Sequence, residues 1–214
     1  MQDMIKKTKE HLYDFLLKSD FDKSEIKYRY EHSLRVANIG LDLAVKEDAN
    51  KKVAVIGCLL HDLGKFETEI NRDHGRVSAK IARPFLETLD LSEKEINDIC
   101  YAIATHVDGQ AGYDYEPIIE ASIVTDADNI DRFSSAKILQ TKLWEQYDKD
   151  RSIEEQIDFY ESRMDVFKKY KENNILETKS GNEVFQNKLD LNITFYTSLL
   201  EDLKITKEPV WSEK

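Results

Sequence analysis

Two ionisable residues, His61 and Asp62, stand side by side after one of the most apolar segments of the sequence. The segment before them, VAVIGCLL at residues 53–60, contains only apolar or small residues. A helix without a polar face is a buried helix. An ionised carboxylate at its end costs several kcal/mol unless a cation or several hydrogen bonds compensate the charge. A metal ion would provide that compensation, so this pair is a candidate for metal binding.

Two further histidines lie on apolar stripes with helical spacing. His32 shares its stripe with Tyr28, Val36, Ile39 and Leu43, and His106 shares its own with Ile96, Ile99 and Ile103. A single inward histidine is more often a hydrogen-bonded core residue than a metal ligand. Three inward histidines and one buried aspartate, in a chain with 5 histidines, must neutralise one another or bind something together.

The downstream segment IVTDADNIDRF adds three carboxylates, Asp126, Asp128 and Asp131. Helical periodicity favours Asp126 as the inward one, because it continues an apolar stripe formed by Ile119, Ile123, Ile130 and Phe133. In the alternative interpretation Asp126 caps a helix or forms a salt bridge, and the other two aspartates lie in solvent. Spacing alone does not decide between them.

The elements that must position these residues are predicted to be helices, so the fold class is all-α. Apolar residues recur at helical spacing near residues 3–18, 25–46, 51–62, 76–90, 93–107, 117–131, 134–148, 153–172 and 183–204. Capping boxes of the Ser-x-x-Glu type are predicted at Ser92, Ser152 and Ser180. Pro84 should kink or split its helix. The loop VDGQAGYDYEP after His106 is a candidate rim of a pocket.

Length and charge narrow the possible classes of protein. The 214 residues fit a single all-α domain, 1–214, and the formal net charge of −11 repels phosphate backbones and anionic membranes. We therefore expect no stable binding of nucleic acid and no membrane association. The two cysteines are expected to be reduced core residues. A charged N-terminus without an apolar stretch predicts a cytoplasmic protein.

The order of these motifs resembles a known family. His32 in EHSLRV, His61 and Asp62 in LLHDLGK, and the aspartates of DADNID resemble the H…HD…D signature of the HD-domain metal-dependent phosphohydrolases, of the small stand-alone bacterial type. The resemblance covers about residues 26–135, the HD core, and residues 136–205 look like its C-terminal helices, packing on that core. It implies an HD-domain helical bundle with metal ligands at His32, His61, Asp62 and Asp128. The resemblance places the last ligand on Asp128, whereas the helical periodicity favours Asp126. Asp126 therefore remains the alternative.

Longer versions of the signature imply a second metal ion. The segments HGRVSAKIA at His74 and AIATHVDG at His106 resemble those that complete a binuclear site, in which Asp62 bridges the two ions. Because only 12 residues separate Asp62 from His74, a second interpretation places His74 in a loop that lines the pocket without touching metal. The G-Y-P element of cyclic dinucleotide hydrolases of the HD-GYP type does not follow His106, which sets that subfamily aside.

The resemblance also implies the reaction. A metal-activated hydroxide attacks the phosphorus of a nucleotide or similar small phosphate and cleaves a phosphoester or phosphoanhydride bond, with Asp62 and His106 as catalytic residues. Imidazole and carboxylate ligands suit Mn²⁺, Fe²⁺, Ni²⁺, Co²⁺ or Mg²⁺. Lys65 and Arg76 are candidate phosphate contacts. A solvated position at the end of a helix explains Lys65 equally well, and for Arg76 a solvated surface position is the favoured alternative. For Arg35, an ion pair with a buried carboxylate such as Asp131 is favoured over phosphate binding.

Two other functions fit the same residues. A few HD-type proteins use this ligand order to hold two iron ions and activate O₂, so a di-iron oxygenase is one alternative. The other is a non-catalytic sensor that binds a nucleotide. The identity of the substrate, the native metal and the oligomeric state are left open by the sequence.

Overall fold

The computed structural model describes residues 1–65, 67–144 and 150–207, and for residues 142–144 the backbone only. Within these ranges the regular structure is entirely helical, so the all-α prediction is confirmed. A short 3-10 turn at Asn71–Asp73 precedes α4, and none of the described helices is long and apolar enough to cross a membrane. The helices are α1 (Gln2–Leu17), α2 (Lys23–Lys46), α3 (Lys51–Leu60), α4 (His74–Leu86), α5 (Glu93–Thr105), α6 (Ile119–Asp131), α7 (Ser135–Trp144), α8 (Ile153–Glu172) and α9 (Lys179–Lys207).

Polar side chains cap the starts of several helices, among them two that the sequence predicts. The capping boxes at Ser92 and Ser152 are both formed. The capping box predicted at Ser180 is wrong, because α9 begins at Lys179 and Ser180 already lies inside the helix. The hydroxyl of Thr178 instead accepts the hydrogen bond from the Gly181 amide. Pro84 does not split α4, since it lies in the last turn and the helix ends two residues later.

The chain divides into two compact units. The first contains Met1–Asp131 together with Glu177–Gly181, and the second contains Arg132–Leu176 and Asn182–Lys214. Residues 145–149 and 208–214 of the second unit lie outside the described part of the chain, as do residues 145–148 of the helix predicted at 134–148. The single-domain arrangement stays a prediction.

The first unit is built around α3. All eight residues from Val53 to Leu60 are buried, and α3 packs against α1, α2, α4, α5 and α6. This agrees with the absence of a polar face in its sequence. Because α3 is surrounded in this way, the two residues that follow it enter the centre of the unit.

The second unit contains α7, α8 and most of α9, and its core is aromatic. Tyr160 of α8 and Tyr196 of α9 stack with their ring centroids 5.5 Å apart, and Phe133 meets Phe185 edge to face at 4.8 Å. The Asn192 side chain on α9 donates a hydrogen bond of 2.8 Å to the Phe133 carbonyl. Aromatic packing therefore stabilises this unit through contacts of its own.

Candidate metal centre

Four histidine rings and two carboxylates meet inside the first unit. The sequence brings them from five helices. His32 lies within α2, His61 and Asp62 follow α3, His74 opens α4, His106 follows α5, and Asp128 lies within α6. Their side chains are between 0% and 18% exposed. The six residues predicted as metal ligands are thus brought together.

The first group consists of His32, His61, Asp62 and Asp128. The His32 Nε2 atom lies 3.3 Å from the His61 Nε2 atom and 3.3 Å from Asp128 Oδ1. The Asp62 Oδ2 atom lies 3.8 Å from His32 Nε2 and 3.7 Å from His61 Nε2. The ligand atoms of His32, His61 and Asp62 all lie within 4.8 Å of one another, and so do those of His61, His106 and Asp128. Imidazole nitrogens with carboxylate oxygens form a donor set that suits a divalent ion.

The second group consists of Asp62, His74 and His106. The His74 Nε2 atom lies 3.1 Å from His106 Nε2 and 3.2 Å from Asp62 Oδ1. Asp62 Oδ1 is also 3.8 Å from His106 Nε2. Asp62 directs one oxygen to each group, so its carboxylate is placed between two candidate ion positions.

Three of the four histidine rings are each held by a backbone carbonyl group. The contact is made by Nδ1, the ring nitrogen that does not face the cluster. His61 Nδ1 donates to the Cys58 carbonyl at 2.8 Å, His106 Nδ1 donates to the Ile103 carbonyl at 2.7 Å, and His74 Nδ1 contacts the Asn71 carbonyl. A carbonyl oxygen only accepts hydrogen bonds, so Nδ1 carries a proton and Nε2 points to the centre of the cluster, where it offers a lone pair whenever the ring is neutral. This is the orientation that metal binding requires.

His32 is held by a carboxylate instead. Its Nδ1 atom lies 2.8 Å from Asp131 Oδ2, and the Arg35 guanidinium donates to both oxygens of Asp131 at 2.8 and 3.1 Å. The ion pair favoured for Arg35 from the sequence is confirmed. Asp131 is therefore an outer partner that orients a predicted ligand.

The charges of the cluster compensate one another. Burial alone would raise the pKa of Asp62, but the charge of His61 and the hydrogen bonds from His106 and His74 hold it well below its usual range. Burial alone would lower the pKa of His32, but the hydrogen bonds to Asp128 and Asp131 raise it to about 9. Without an ion, His32 therefore keeps a proton near neutral pH.

Asp126 and Asp128 occupy different places. Asp128 faces the histidines, whereas Asp126 is fully buried and accepts hydrogen bonds from the amides of Glu177 and Thr178 at 2.9 and 2.8 Å. The Thr178 hydroxyl donates to Asp126 at 2.6 Å, and a Cβ atom on Gly181 would lie only 2.5 Å from that carboxylate. The periodicity correctly identified Asp126 as buried, but the geometry favours Asp128 as the predicted ligand.

The two predicted phosphate contacts lie in different surroundings. The Lys65 ammonium is 3.0 Å from Asp62 Oδ2, beside the cluster. The Arg76 guanidinium bonds to Asp108 at 2.9 Å and to Asp73, and it lines a separate cavity with Tyr113. Contacts of Lys65 and Arg76 with phosphate stay predictions. Of these two residues, Lys65 is the one next to the candidate metal ligands.

Sequence analysis missed Arg29. Its Nη1 atom lies 3.9 Å from Asp62 Oδ2, and its side chain is 15% exposed. Arg29 precedes His32 by three residues, so both lie on the same face of α2. That spacing was a signal that could have identified Arg29 as a second cation beside the cluster.

The comparison with family models identifies one match. Residues 29–132, which include all six predicted ligands, match the family model described as HD domain. No curated protein matches this sequence.

Several solved structures share the fold. An HD-superfamily hydrolase from Bacillus thuringiensis is 19% identical, with 95% of this chain and 98% of that chain covered and a TM-score of 0.69. Bacillus subtilis YpgQ in complex with ADP is 16% identical, with 94% and 95% covered and a TM-score of 0.65. A predicted HD superfamily hydrolase from an uncultured Thermotogales bacterium is 16% identical, with 90% and 91% covered and a TM-score of 0.63. At these identities the similarity shows a common fold.

Proposed function

This chain carries an HD domain at residues 29–132, and from that premise we propose that the protein is a metal-dependent phosphohydrolase. Its substrate is a nucleotide or a similar small phosphate, and the bond cleaved is a phosphoester or phosphoanhydride. The observation that carries the proposal is the position of Asp62. Its two oxygens face two different pairs of histidine Nε2 atoms, 3.2–3.8 Å away.

The residues of the cluster have separate tasks in this proposal. His32, His61, Asp62 and Asp128 hold one divalent ion, and Asp62, His74 and His106 hold a second. When bound, such ions supply Lewis acidity to the phosphoryl group and to water. If His106 does not bind an ion, its Nε2 atom is placed to hold a proton for the leaving oxygen, because Nδ1 is occupied by the Ile103 carbonyl.

Two observations support a phosphorylated substrate. Lys65 and Arg29 place positive charge within 3.9 Å of Asp62, at the edge of the cluster where an anion would approach. YpgQ, which shares the fold, was crystallised in complex with ADP. Both are consistent with a nucleotide as the ligand of this chain.

The experiment combines metal analysis with a screen for phosphate release. Purified protein is analysed for bound metals, reloaded with the metal found, and incubated with a panel of nucleotides. We expect Asp62→Ala to lose both bound metal and phosphate release while its far-UV circular dichroism stays unchanged. The matched control is Asp98→Ala, since Asp98 is also buried but bonds to Lys94 and Tyr115, outside the cluster.

Two results would contradict the proposal in different ways. Full activity of Asp62→Ala with added Mn²⁺ would show that the site is wrong. An oxygenase is the second candidate function, because the complete set of six inward ligands also suits two iron ions. Mixed-valent iron signals with substrate-dependent O₂ uptake, and no release of phosphate, would favour the oxygenase.

A further inference from the structure

A cavity opens beside Asp62 between α1, α2 and the segment after α3. Its volume of about 340 Å³ lies at the lower end of the roughly 300–1,000 Å³ that is typical of small-molecule sites. We call it the α1–α2 cavity, lined by Leu12, Phe15, Leu16, Phe21, Leu63, Arg29 and Asp62 among others. A cavity of this size accommodates one small organic group.

One wall of the α1–α2 cavity, formed mainly by α1, is apolar. Phe15 and Leu16 follow Leu12 by three and four residues, so the three side chains lie on one face of α1. Leu12 and Leu16 are only 3% and 6% exposed, so the wall is part of the packed core. Phe21 and Leu63 extend the apolar lining. Such a wall binds a ring or another apolar group by removing it from water.

The inner end of the cavity is charged. It is formed by Asp62 and Arg29, whose closest atoms are 3.9 Å apart. Glu25 accepts a hydrogen bond of 2.7 Å from Arg29 Nε and so fixes the direction of the guanidinium. A guanidinium offers paired donors that suit the oxygens of a phosphoryl group. The α1–α2 cavity is thus charged where it meets the candidate metal ligands and apolar along the face of α1, and polar groups of Lys18, Ser19, Asp20, Ser33 and Glu67 complete its lining.

We propose that the α1–α2 cavity is the specificity pocket of this protein and selects phosphate esters or anhydrides that carry a ring-shaped apolar group. Arg29 binds the phosphoryl group, and the α1 wall receives the organic group. This inference rests on the proposed function. The wall residues of α1 and Phe21 precede residue 29, where the family match begins, so this part of the pocket lies outside the matched segment.

The test measures binding and needs no turnover. Phosphonate analogues of AMP and of ribose 5-phosphate, in which a methylene group replaces the ester oxygen, are titrated calorimetrically into Mn²⁺-loaded protein. The first analogue carries the base at C1′ of the ribose, where the second carries a hydroxyl group. We expect the analogue with the base to bind on the order of 10- to 100-fold more tightly, because the base buries apolar surface against the α1 wall.

Two variants locate the two ends of the ligand. Phe15→Ser should abolish the preference for the base, whereas Tyr13→Ser should preserve it, since Tyr13 lies on α1 but lines a different cavity. Arg29→Gln should weaken both analogues by a similar factor of about 10. Lys27→Gln is its control, because Lys27 lies on the same helix and, among the described residues, forms its ion pair with the exposed Glu31.

The outcomes separate this inference from the proposed function. Equal affinity for the two analogues in the wild type, or binding of neither, would overturn the specificity pocket even if the protein releases phosphate. A preference for the base that persists in Phe15→Ser would also overturn it. A preference that depends on Phe15 would support the pocket even if no phosphate is released, in which case the proposed hydrolysis alone would fail.

Discussion

The substitution Gly75→Ala tests whether the second group binds an ion of its own. Gly75 lies in the first turn of α4, directly after His74, where α4 packs against the end of α5. A Cβ atom at this position would lie 2.7 Å from the Ala104 carbonyl oxygen, 3.0 Å from the Ile103 carbonyl oxygen and 3.2 Å from His106 Nδ1. The added methyl group would therefore push directly on the backbone that holds the His106 ring.

The size of the effect follows from these distances. Ordinary van der Waals contact begins at 3.4 Å, so the two helices must separate by about 0.7 Å at this point. Metal and catalytic sites tolerate displacements of roughly 0.5 Å. We expect the affinity for the second ion to fall about 10- to 100-fold. Overpacking should also cost about 1–3 kcal/mol of unfolding free energy, which lowers the Tm by about 2–4 °C per kcal/mol.

The assay is elemental analysis of protein dialysed against limiting Mn²⁺, together with thermal unfolding. The wild type should hold two ions per chain and Gly75→Ala one, because the first group comes from α2, α3 and α6. Gly109→Ala is the control for stability. Gly109 has φ +73° and nothing within 4 Å of an added Cβ atom, so that variant is strained without moving α4 from α5. Two ions of native affinity in Gly75→Ala would refute the reasoning.

Three further predictions concern the partners of the cluster. Asp131→Asn should reduce metal affinity about 10- to 100-fold in equilibrium dialysis, because it weakens the hydrogen bond that orients the His32 ring. An unchanged affinity would show that Asp131 does not orient His32 for metal binding. The pKa of His32 is about 9 without metal, so an ion must displace its proton below that pH. Metal affinity should accordingly rise about tenfold per pH unit from pH 6 towards 9 and then level off, and a flat profile would contradict the hydrogen bonds assigned to His32. Thr178→Val should lower the unfolding free energy by about 1–3 kcal/mol in urea titrations by leaving Asp126 short of a donor, with no change in metal content.

Local patterns in the sequence were sufficient for most helices. The capping boxes at Ser92 and Ser152 form as predicted, because a cap depends only on residues three positions apart. At Ser180 the same pattern failed, since tertiary contacts compete there. Asp126 holds Thr178 as the capping residue, and the Ser180 amide donates to Glu47 at 2.8 Å.

The spacing of apolar residues was not sufficient to assign the roles of the aspartates in α6. It correctly placed Asp126 in the interior, but it could not say what Asp126 would meet there. A helix that packs against α2, α3 and α5 has more than one buried side. Burial can be read from a pattern of apolar residues, whereas the neighbour that a buried residue contacts depends on how the other helices are placed.

Residue type and spacing along single helices predicted the all-α class, the burial of α3 and the inward positions of His32, His61, Asp62 and His106, whereas the resemblance to the HD-domain family implied His74 and Asp128 as further ligands. Neither could show that the two oxygens of Asp62 face different pairs of histidines, that Arg29 lies beside them, or that carbonyl groups hold three of the rings. The physical reason is distance along the chain: His32 and Asp131 are 99 residues apart, and only the packing of helices brings such residues into contact.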